Sequence, residues 1–404
     1  MSKFRRMSLT DPLLAFRDEF PILSRKNYLV SNSLGAMPRG ARDGLQAYAD
    51  EWAGEGVRAW ARGWWDMPAR VGDSIAPLLG AAAGQVVMVP NVTLGQSMVL
   101  SAVTFRPPRN RIVMTALDFP SVRYAFDGLA KRLGAEVVVV ESADGVGIDE
   151  GALCAAIDER TALVAISHVL FKSAYILDVE RITRHAHDAG ALVSLDAFHS
   201  VGVMPVDVRR IGADFLTGGV LKWLCGGPGG CFLYVAPDVT ELLAPALTGW
   251  QAHARPFSFE PDMEYTHGIG RWLGGTPVIP ALYAAVEGPS IVQQAGIEAV
   301  RAKSVRQTTR LMELADARGF PVHAPHDTAR RGGTVAFHVE HGHEVAQCLL
   351  ERDIIVDYRP GAGIRIAPHF YTRDTELDDA VAAIDDILAT GAWTRHAGRH
   401  SVVT

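Results

Sequence analysis

Lysine is scarce in this 404-residue chain, with six in all: Lys3, Lys26, Lys131, Lys172, Lys222 and Lys303. Cysteine is scarcer still, with Cys154, Cys225, Cys231 and Cys348. No two of the cysteines form a CxxC pair and they make no dense framework. A disulfide-stapled secreted scaffold is therefore excluded, and reduced thiols in a cytoplasmic protein are expected. Cys225 and Cys231 flank a glycine run, where a metal pair or small buried fillers would both fit. No apolar run approaches the ~18–20 residues of a membrane helix. The start, MSKFRRMSLTDPLLAFRDEF, is basic, but Asp11, Arg17, Asp18 and Glu19 interrupt the stretch that a secretory leader keeps uncharged. Positive charge is not in excess either: the formal net charge of −6 argues against a nucleic-acid surface and an anionic-membrane patch. No GxGxxG follows an early strand, which disfavours a nicotinamide dehydrogenase. No Gly-Lys-Ser/Thr follows the glycine run Gly226–Gly230, so it is no Walker loop but a tight turn into the next strand.

What is present is ordinary globular material, 48% hydrophobic and 21% charged, enough for two domains. Short β-branched runs at 86–90, 111–115, 136–141, 162–167, 191–196, 214–218 and 231–236 read as strands. Helical-period segments such as Val122–Leu133, Glu150–Ile157 and Val179–Ala189 separate them. Continuously apolar strands alternating with helices predict an α/β fold with a mainly parallel seven-stranded sheet covered by helices. After about residue 290 the pattern changes. A long helix over 290–318, strands near 334–340, 353–357 and 363–367, and a helix near 375–390 predict a smaller C-terminal α/β domain. The expected division is an N-terminal segment 1–45 packing with the small domain, a large domain 46–288 and a small domain 289–404. The tail TRHAGRHSVVT is expected to fray. There is no internal repeat and no low-complexity linker.

Two residues at neighbouring strand ends carry the chemistry. Asp196, in ALVSLDAFHSVG, ends a buried strand at the edge where open α/β sheets bind ligands. A carboxylate buried there needs a cationic partner. Lys222, in GGVLKWLCGGPGG, lies just past the next strand with no other charge nearby. Desolvation lowers an amine's pKa and makes it a Schiff-base nucleophile. An Asp for a pyridinium nitrogen and a Lys for an aldehyde are the two requirements of pyridoxal 5'-phosphate. Taken singly, Asp196 could merely cap a turn, and His199 could be a satisfied core histidine. The helix starting near Asn91, capped by Asn91 or Thr93, offers free N–H groups and a positive dipole end to a phosphate. Phe119 follows a strand and could stack on a flat heteroaromatic ring or fill the core. Arg359 and Arg365 lie in VDYRPGAGIRIAP. Arg365 alternates with Ile364 and Ile366 and suits bidentate capture of a carboxylate, whereas a surface salt bridge is expected for Arg359.

Over nearly its whole length the chain resembles the class V aminotransferase-like group of fold-type I pyridoxal-phosphate enzymes, and within it the kynureninases. The resemblance rests on YLVSNSLGAMP, GWWDMPARVGDSIAPLLGA, LDFPSVRYAF, AISHVLFKS, SLDAFHSVG, LTGWQAH, LGGTPVIPAL and IRIAP, which occur in the family's order. It implies that Lys222 forms the Schiff base and moves the substrate's α-proton, that Asp196 holds the ring-nitrogen proton, and that His199 assists beside the ring. It implies that the Val92 backbone and Thr93 bind phosphate and that Phe119 stacks on the ring. It further implies that Trp250 and Thr276 contact the cofactor, with Thr276 reaching in from a neighbouring subunit of a homodimer. By the same resemblance Arg365 takes the α-carboxylate of a small amino-acid substrate, and Trp64 and Ser33 hold its side chain. The implied reaction is hydrolytic cleavage of a kynurenine-like substrate to alanine and an anthranilate-like product. The pattern departs from the family at Leu221, where a Tyr is usual beside the lysine, and at Leu170 and Phe171, where Asn and Tyr are usual. A pocket poorer in hydroxyls is expected. A C–S lyase, an epimerase, an aminotransferase and a non-catalytic cofactor-binding module are the competing readings. A cysteine desulfurase is disfavoured, because Cys348 lies in the apolar helical stretch HEVAQCLLE.

Overall fold

The computed structural model describes residues 11–398. Lys3, the leader-like first ten residues and the last six residues of the tail lie outside them. The main sheet has seven strands: β1 (Val86–Val89), β2 (Arg111–Thr115), β3 (Glu136–Val140), β4 (Thr161–Ser167), β5 (Leu192–Asp196), β6 (Phe215–Gly219) and β7 (Cys231–Val235), in the spatial order β1-β7-β6-β5-β4-β2-β3. Pairing is parallel from β6 across to β3. Only β7 runs against its neighbours, pairing antiparallel with both β1 and β6. That reversal follows from the short connection Val220–Gly230, which turns the chain straight back instead of crossing over through a helix.

The strands are apolar on both sides because both sides are covered. Val113, Val164, Val193, Leu195 and Leu216 point into one core, while Ile112, Met114, Leu163, Ala165 and Phe215 point into another. Helices α1 (Met67–Ile75), α2 (Val92–Ala102), α3 (Pro120–Leu133) and α4 (Val179–Asp188) supply the covers. Helices α1 and α4 pack into the first core through Val71, Ile75, Ile182 and Ala186. Helices α2 and α3 pack into the second through Met98, Val99 and Phe126. Each Val, Leu, Ile, Met or Phe side chain that these strands bury is worth about 1.5–3 kcal/mol.

Beyond the large sheet, the single helix expected over 290–318 is two: α5 (Glu287–Ala295) and α6 (Ile297–Asp316). Gly296 breaks them with φ +78°, a conformation that costs glycine nothing. A three-stranded antiparallel sheet of β8 (Val335–Phe337), β9 (Asp357–Arg359) and β10 (Gly363–Ile366) follows, in the order β9-β10-β8, with helix α7 (Asp374–Thr390) after it. The strand expected at 353–357 divides. Ile354–Ile355 pairs parallel with Asn27–Tyr28, and β9 starts at Asp357. The N-terminal segment is bound to this part of the chain in three further ways. Arg17 chelates Glu376 with contacts of 2.5 and 3.0 Å, Asp11 pairs with Lys303 at 2.8 Å, and Val30 bridges to Ala367. The tail does not fray where it was expected to begin. Ala392–His396 forms a 3-10 turn, and His396 is buried beside Glu351.

Candidate active site

A cavity of about 390 Å³ opens at the carboxyl ends of the parallel strands. Eight of the residues singled out from sequence meet there: Ser33, Val92, Thr93, Phe119, Asp196, His199, Lys222 and Arg365. Trp64, Trp250 and Thr276 do not line it. Trp64 is buried elsewhere, its Nε1 donating to the Tyr283 hydroxyl at 3.2 Å and to Glu51 at 3.3 Å. Trp250 stands in an aromatic cluster with Trp65, Phe257 and Phe259.

Lys222 follows β6 by three residues, and the turn that holds it is made by strained or glycine positions. Cys225 has φ +53°, and Gly227 and Gly229 have φ +74° and +92°. Lys222 Nζ lies 2.7 Å from His199 Nε2. It also lies over the Phe119 and Phe198 rings, at 5.6 and 5.2 Å from their centroids. Burial lowers the Lys222 pKa to about 7, although the Asp196 carboxylate pulls the other way. The amine is therefore largely unprotonated just above neutrality, as a nucleophile must be. Burial, with the positive charges of Lys222 and Arg365, holds His199 well below the ordinary imidazole value. His199 is thus a neutral partner of the amine.

Asp196 is the last residue of β5 and only 6% exposed. One oxygen accepts from the Phe198 N–H at 2.9 Å, so it does cap the turn as well. Burial nevertheless raises its pKa to about 6, the Phe198 hydrogen bond and the Lys222 charge only partly offsetting this. A carboxylate in that state is under-compensated and suits a cationic ring nitrogen. Behind it a buried chain of hydrogen bonds ties three elements together. Gln96 of α2 donates to Thr217 of β6 at 2.8 Å, and Ser194 of β5 donates to Gln96 at 2.9 Å. Asp118, next to Phe119, staples two more strand ends, accepting from Thr115 N and Ser167 N at 2.7 Å each. Helix α2 points its N-terminus at the cavity. Asn91 is the N-cap, accepting from Leu94 N at 2.9 Å, and Asn91, Val92 and Thr93 all line the opening.

The opposite wall comes from β9 and β10. Arg365 is 3% exposed and grips the fully buried Asp357 with two contacts, Nε at 2.8 Å and Nη2 at 2.5 Å. Its Nη1 donates to the Phe171 carbonyl at 2.6 Å. Arg359, expected on the surface, lines the cavity and shares the same carboxylate at 3.1 Å. The sequence reading missed this because Asp357 pairs through strand register, which puts it directly opposite Arg365. Two guanidiniums and one carboxylate leave this wall with a net positive charge. Of the three expected departures, Leu221 and Phe171 line the cavity. Leu170 does not; it packs into the core at 1% exposure.

These residues fit pyridoxal 5'-phosphate. A desolvated amine faces the cavity for the aldehyde, an under-compensated carboxylate for the ring nitrogen and a helix N-terminus for the phosphate. Fold and site together define a fold-type I pyridoxal-phosphate enzyme.

The pattern of the class-V aminotransferases matches residues 28–372. The kynureninase of Pseudomonas fluorescens is 35% identical, over 97% of this chain and 97% of its own. That of Burkholderia pseudomallei is 34% identical, over 95% of this chain and 94% of its own. Among solved structures, the apo cysteine desulfurase of Thermococcus onnurineus superposes with a TM-score of 0.82 at 21% identity, covering 93% of this chain and 98% of that one. The cystine C–S lyase C-DES, in complex with cysteine persulfide, gives 0.83 at 22% identity, covering 91% and 99%. The chain belongs to the class-V aminotransferase family and is a pyridoxal-phosphate-dependent enzyme.

Proposed function

We propose that this enzyme cleaves the side chain of a kynurenine-like amino acid by hydrolysis, giving alanine and an anthranilate-like product. The observation that carries this reading is the full-length similarity to kynureninases at 35% identity. The solved desulfurase and lyase neighbours, at 21 and 22%, speak for the fold alone. The cysteines point the same way. A desulfurase needs a reactive thiolate, but Cys225, Cys231 and Cys348 are buried, and burial pushes the Cys225 thiol up to about 12; the half-buried Cys154 does not line the cavity, and burial raises its thiol as well.

Pyridoxal phosphate, when bound, supplies an electron sink for a carbanion at the substrate's Cα. In this reading Lys222 Nζ, half neutral near pH 7, takes the Cα proton, and His199 holds the amine in place through its 2.7 Å contact. Asp196 keeps a proton on the ring nitrogen. The Val92 backbone and Thr93 would hold the cofactor's phosphate at the start of α2, and Phe119 would offer a ring face to the cofactor. Arg365 receives the α-carboxylate with the N–H groups that Asp357 and Phe171 leave free, and Arg359 adds its charge. Ser33 and Phe171 flank the substrate's side chain. Trp250 and Thr276 serve the site of a second subunit in a homodimer. The exposed rings near Trp250, Phe257 at 61% and Phe259 at 75%, are in keeping with a surface that a second copy covers. A cytoplasmic setting accords with four free thiols.

The test is incubation of the holoenzyme with kynurenine, following anthranilate fluorescence and alanine. Stoichiometric anthranilate and alanine are expected. Release of pyruvate from β-substituted amino acids with no anthranilate would replace this reading by a C–S lyase. Transfer of the amino group to leave a keto acid would replace it by an aminotransferase.

A further inference from the structure

One side chain in the cavity has no partner at either end. Asn32 is 1% exposed, lines the cavity beside Ser33, and neither Nδ2 nor Oδ1 makes a hydrogen bond within the protein. A buried amide left so bears the full desolvation cost of a donor and an acceptor. The backbone around it gives Asn32 little freedom to escape. Ser33 and Leu34 both donate to the Val30 carbonyl, at 2.9 and 3.1 Å, closing a turn over Asn32. Ser31 shares a hydrogen bond with the Tyr371 hydroxyl at 2.8 Å. Gly35 donates to the Leu221 carbonyl at 2.7 Å, fastening the segment to the loop of Lys222. Asn32 is thus held in place on both sides, with its amide unspent.

Each charged group of the same cavity already has at least one partner within the protein. Lys222 meets His199, Asp196 meets the Phe198 N–H, and Arg359 and Arg365 meet Asp357. The chemistry of a ligand for Asn32 follows from its two ends. A carboxylate satisfies Nδ2 but sets an anion against Oδ1. An ammonium does the reverse. A group offering an acceptor and a donor side by side satisfies both. On an amino acid whose carboxylate is held by arginine, such a group must lie on the side chain. An aryl ketone with an ortho amine has this arrangement.

We propose that Asn32 is a specificity-determining residue that reads the ortho-amino ketone of the substrate's side chain. Nδ2 donates to the ketone oxygen, and Oδ1 accepts from the arylamine. The assignment rests on the kynureninase-type reading above and names the residue that would make it selective. It also accounts for a selective pocket despite the apolar residues at Leu221 and Phe171.

The experiment compares holoenzyme with Asn32→Leu and Asn32→Asp. The first readout is kcat/KM for kynurenine against β-benzoylalanine, which lacks the arylamine. The second is the Kd of two unreactive ligands, 2-aminoacetophenone and acetophenone, by calorimetry. The parent is expected to favour the amino member of each pair by about tenfold or more, the worth of one good hydrogen bond to a buried group. Asn32→Leu should abolish that preference while the visible spectrum of the bound cofactor stays unchanged. Asn32→Asp keeps the acceptor and loses the donor, so it should retain the preference and weaken both members. Should Asn32→Leu fail to hold cofactor, the Asn32→Asp result decides alone, and loss of the preference there overturns the assignment. A preference that survives Asn32→Leu, or is absent from the parent, also overturns it. Absence of anthranilate from the parent would defeat the kynureninase reading instead. The calorimetric pair then still decides whether Asn32 reads the amino ketone.

Discussion

The amine of Lys222 should capture pyridoxal phosphate at a pH where an ordinary lysine cannot. A lysine at its usual value of 10.5 is neutral in roughly one molecule in 3,000 at pH 7. With its pKa lowered to about 7, Lys222 is neutral in about half. The neutral fraction, and with it the rate of capture, is therefore greater by about three orders of magnitude at neutral pH. Capture by the apoprotein, read from the growth of visible absorbance after mixing, should rise with pH through about 7 and flatten above it. The cause can be separated by a second perturbation. The Asp196 carboxylate favours the charged amine, so Asp196→Asn should move the midpoint downward. The same burial makes the apoprotein's stability depend on pH. Between about 7 and 10.5 the unfolded chain holds a proton at Lys222 that the folded chain does not, so stability rises with pH across that window. Lys222→Met should remove that slope. A capture midpoint near the ordinary lysine value, or an upward move in Asp196→Asn, would refute the claim that desolvation sets the reactivity of this amine.

Two further substitutions probe the packing of the site. Gly35→Ala would place a Cβ 2.1 Å from the Lys222 carbonyl and 2.8 Å from Cys225 Sγ, so it should cost about 1–3 kcal/mol, read as a fall in Tm with weaker cofactor retention; an unchanged Tm would mean that the two loops do not touch. Arg365→Leu leaves the fully buried Asp357 to Arg359 alone and should destabilise by up to about 3 kcal/mol, besides raising KM for the amino acid. Arg365→Leu with Asp357→Leu should recover Tm but not KM, and recovery of both would deny Arg365 any role in binding.

The large sheet was legible because its strands carry the signal locally. Runs such as ALVAIS and ALVSLD are short, mostly apolar and carry Val or Ile, and each strand is found within a residue or two of its expected place. Asp196 and Lys222 were legible for a related reason, since strand ends are easy to place and unpaired charge in apolar surroundings stands out. What depends on long-range pairing was not. Gln96, Thr217 and Ser194 look like unremarkable polar residues until α2 is laid over β5 and β6. Arg359 looked superficial because its partner Asp357 is buried by strand register. The break at Gly296 was passed over because apolar periodicity continues on either side of it, while φ +78° leaves no trace in the composition. Asn32 stands in YLVSNSLGAMP, a stretch that carries the family resemblance, but nothing in that stretch gives Asn32 a role. Its significance is that its amide finds nothing to bond to, which only three dimensions reveal.

The backbone of Leu29 donates to the Ile355 carbonyl at 2.9 Å and accepts from Ala367 N at 2.7 Å. During synthesis Leu29 leaves the ribosome long before either partner, by tens of seconds at about 5–20 residues per second. The turn that carries Asn32 can therefore meet the Leu221 carbonyl early, through Gly35, but lacks its Ile355 and Ala367 partners until the chain is nearly complete to Ala367. A nascent chain arrested before Ala367 would own a complete set of parallel strands, Lys222 included, and yet an unfinished wall. The cavity is accordingly closed only once β9 and β10, which carry Arg359 and Arg365, have been made.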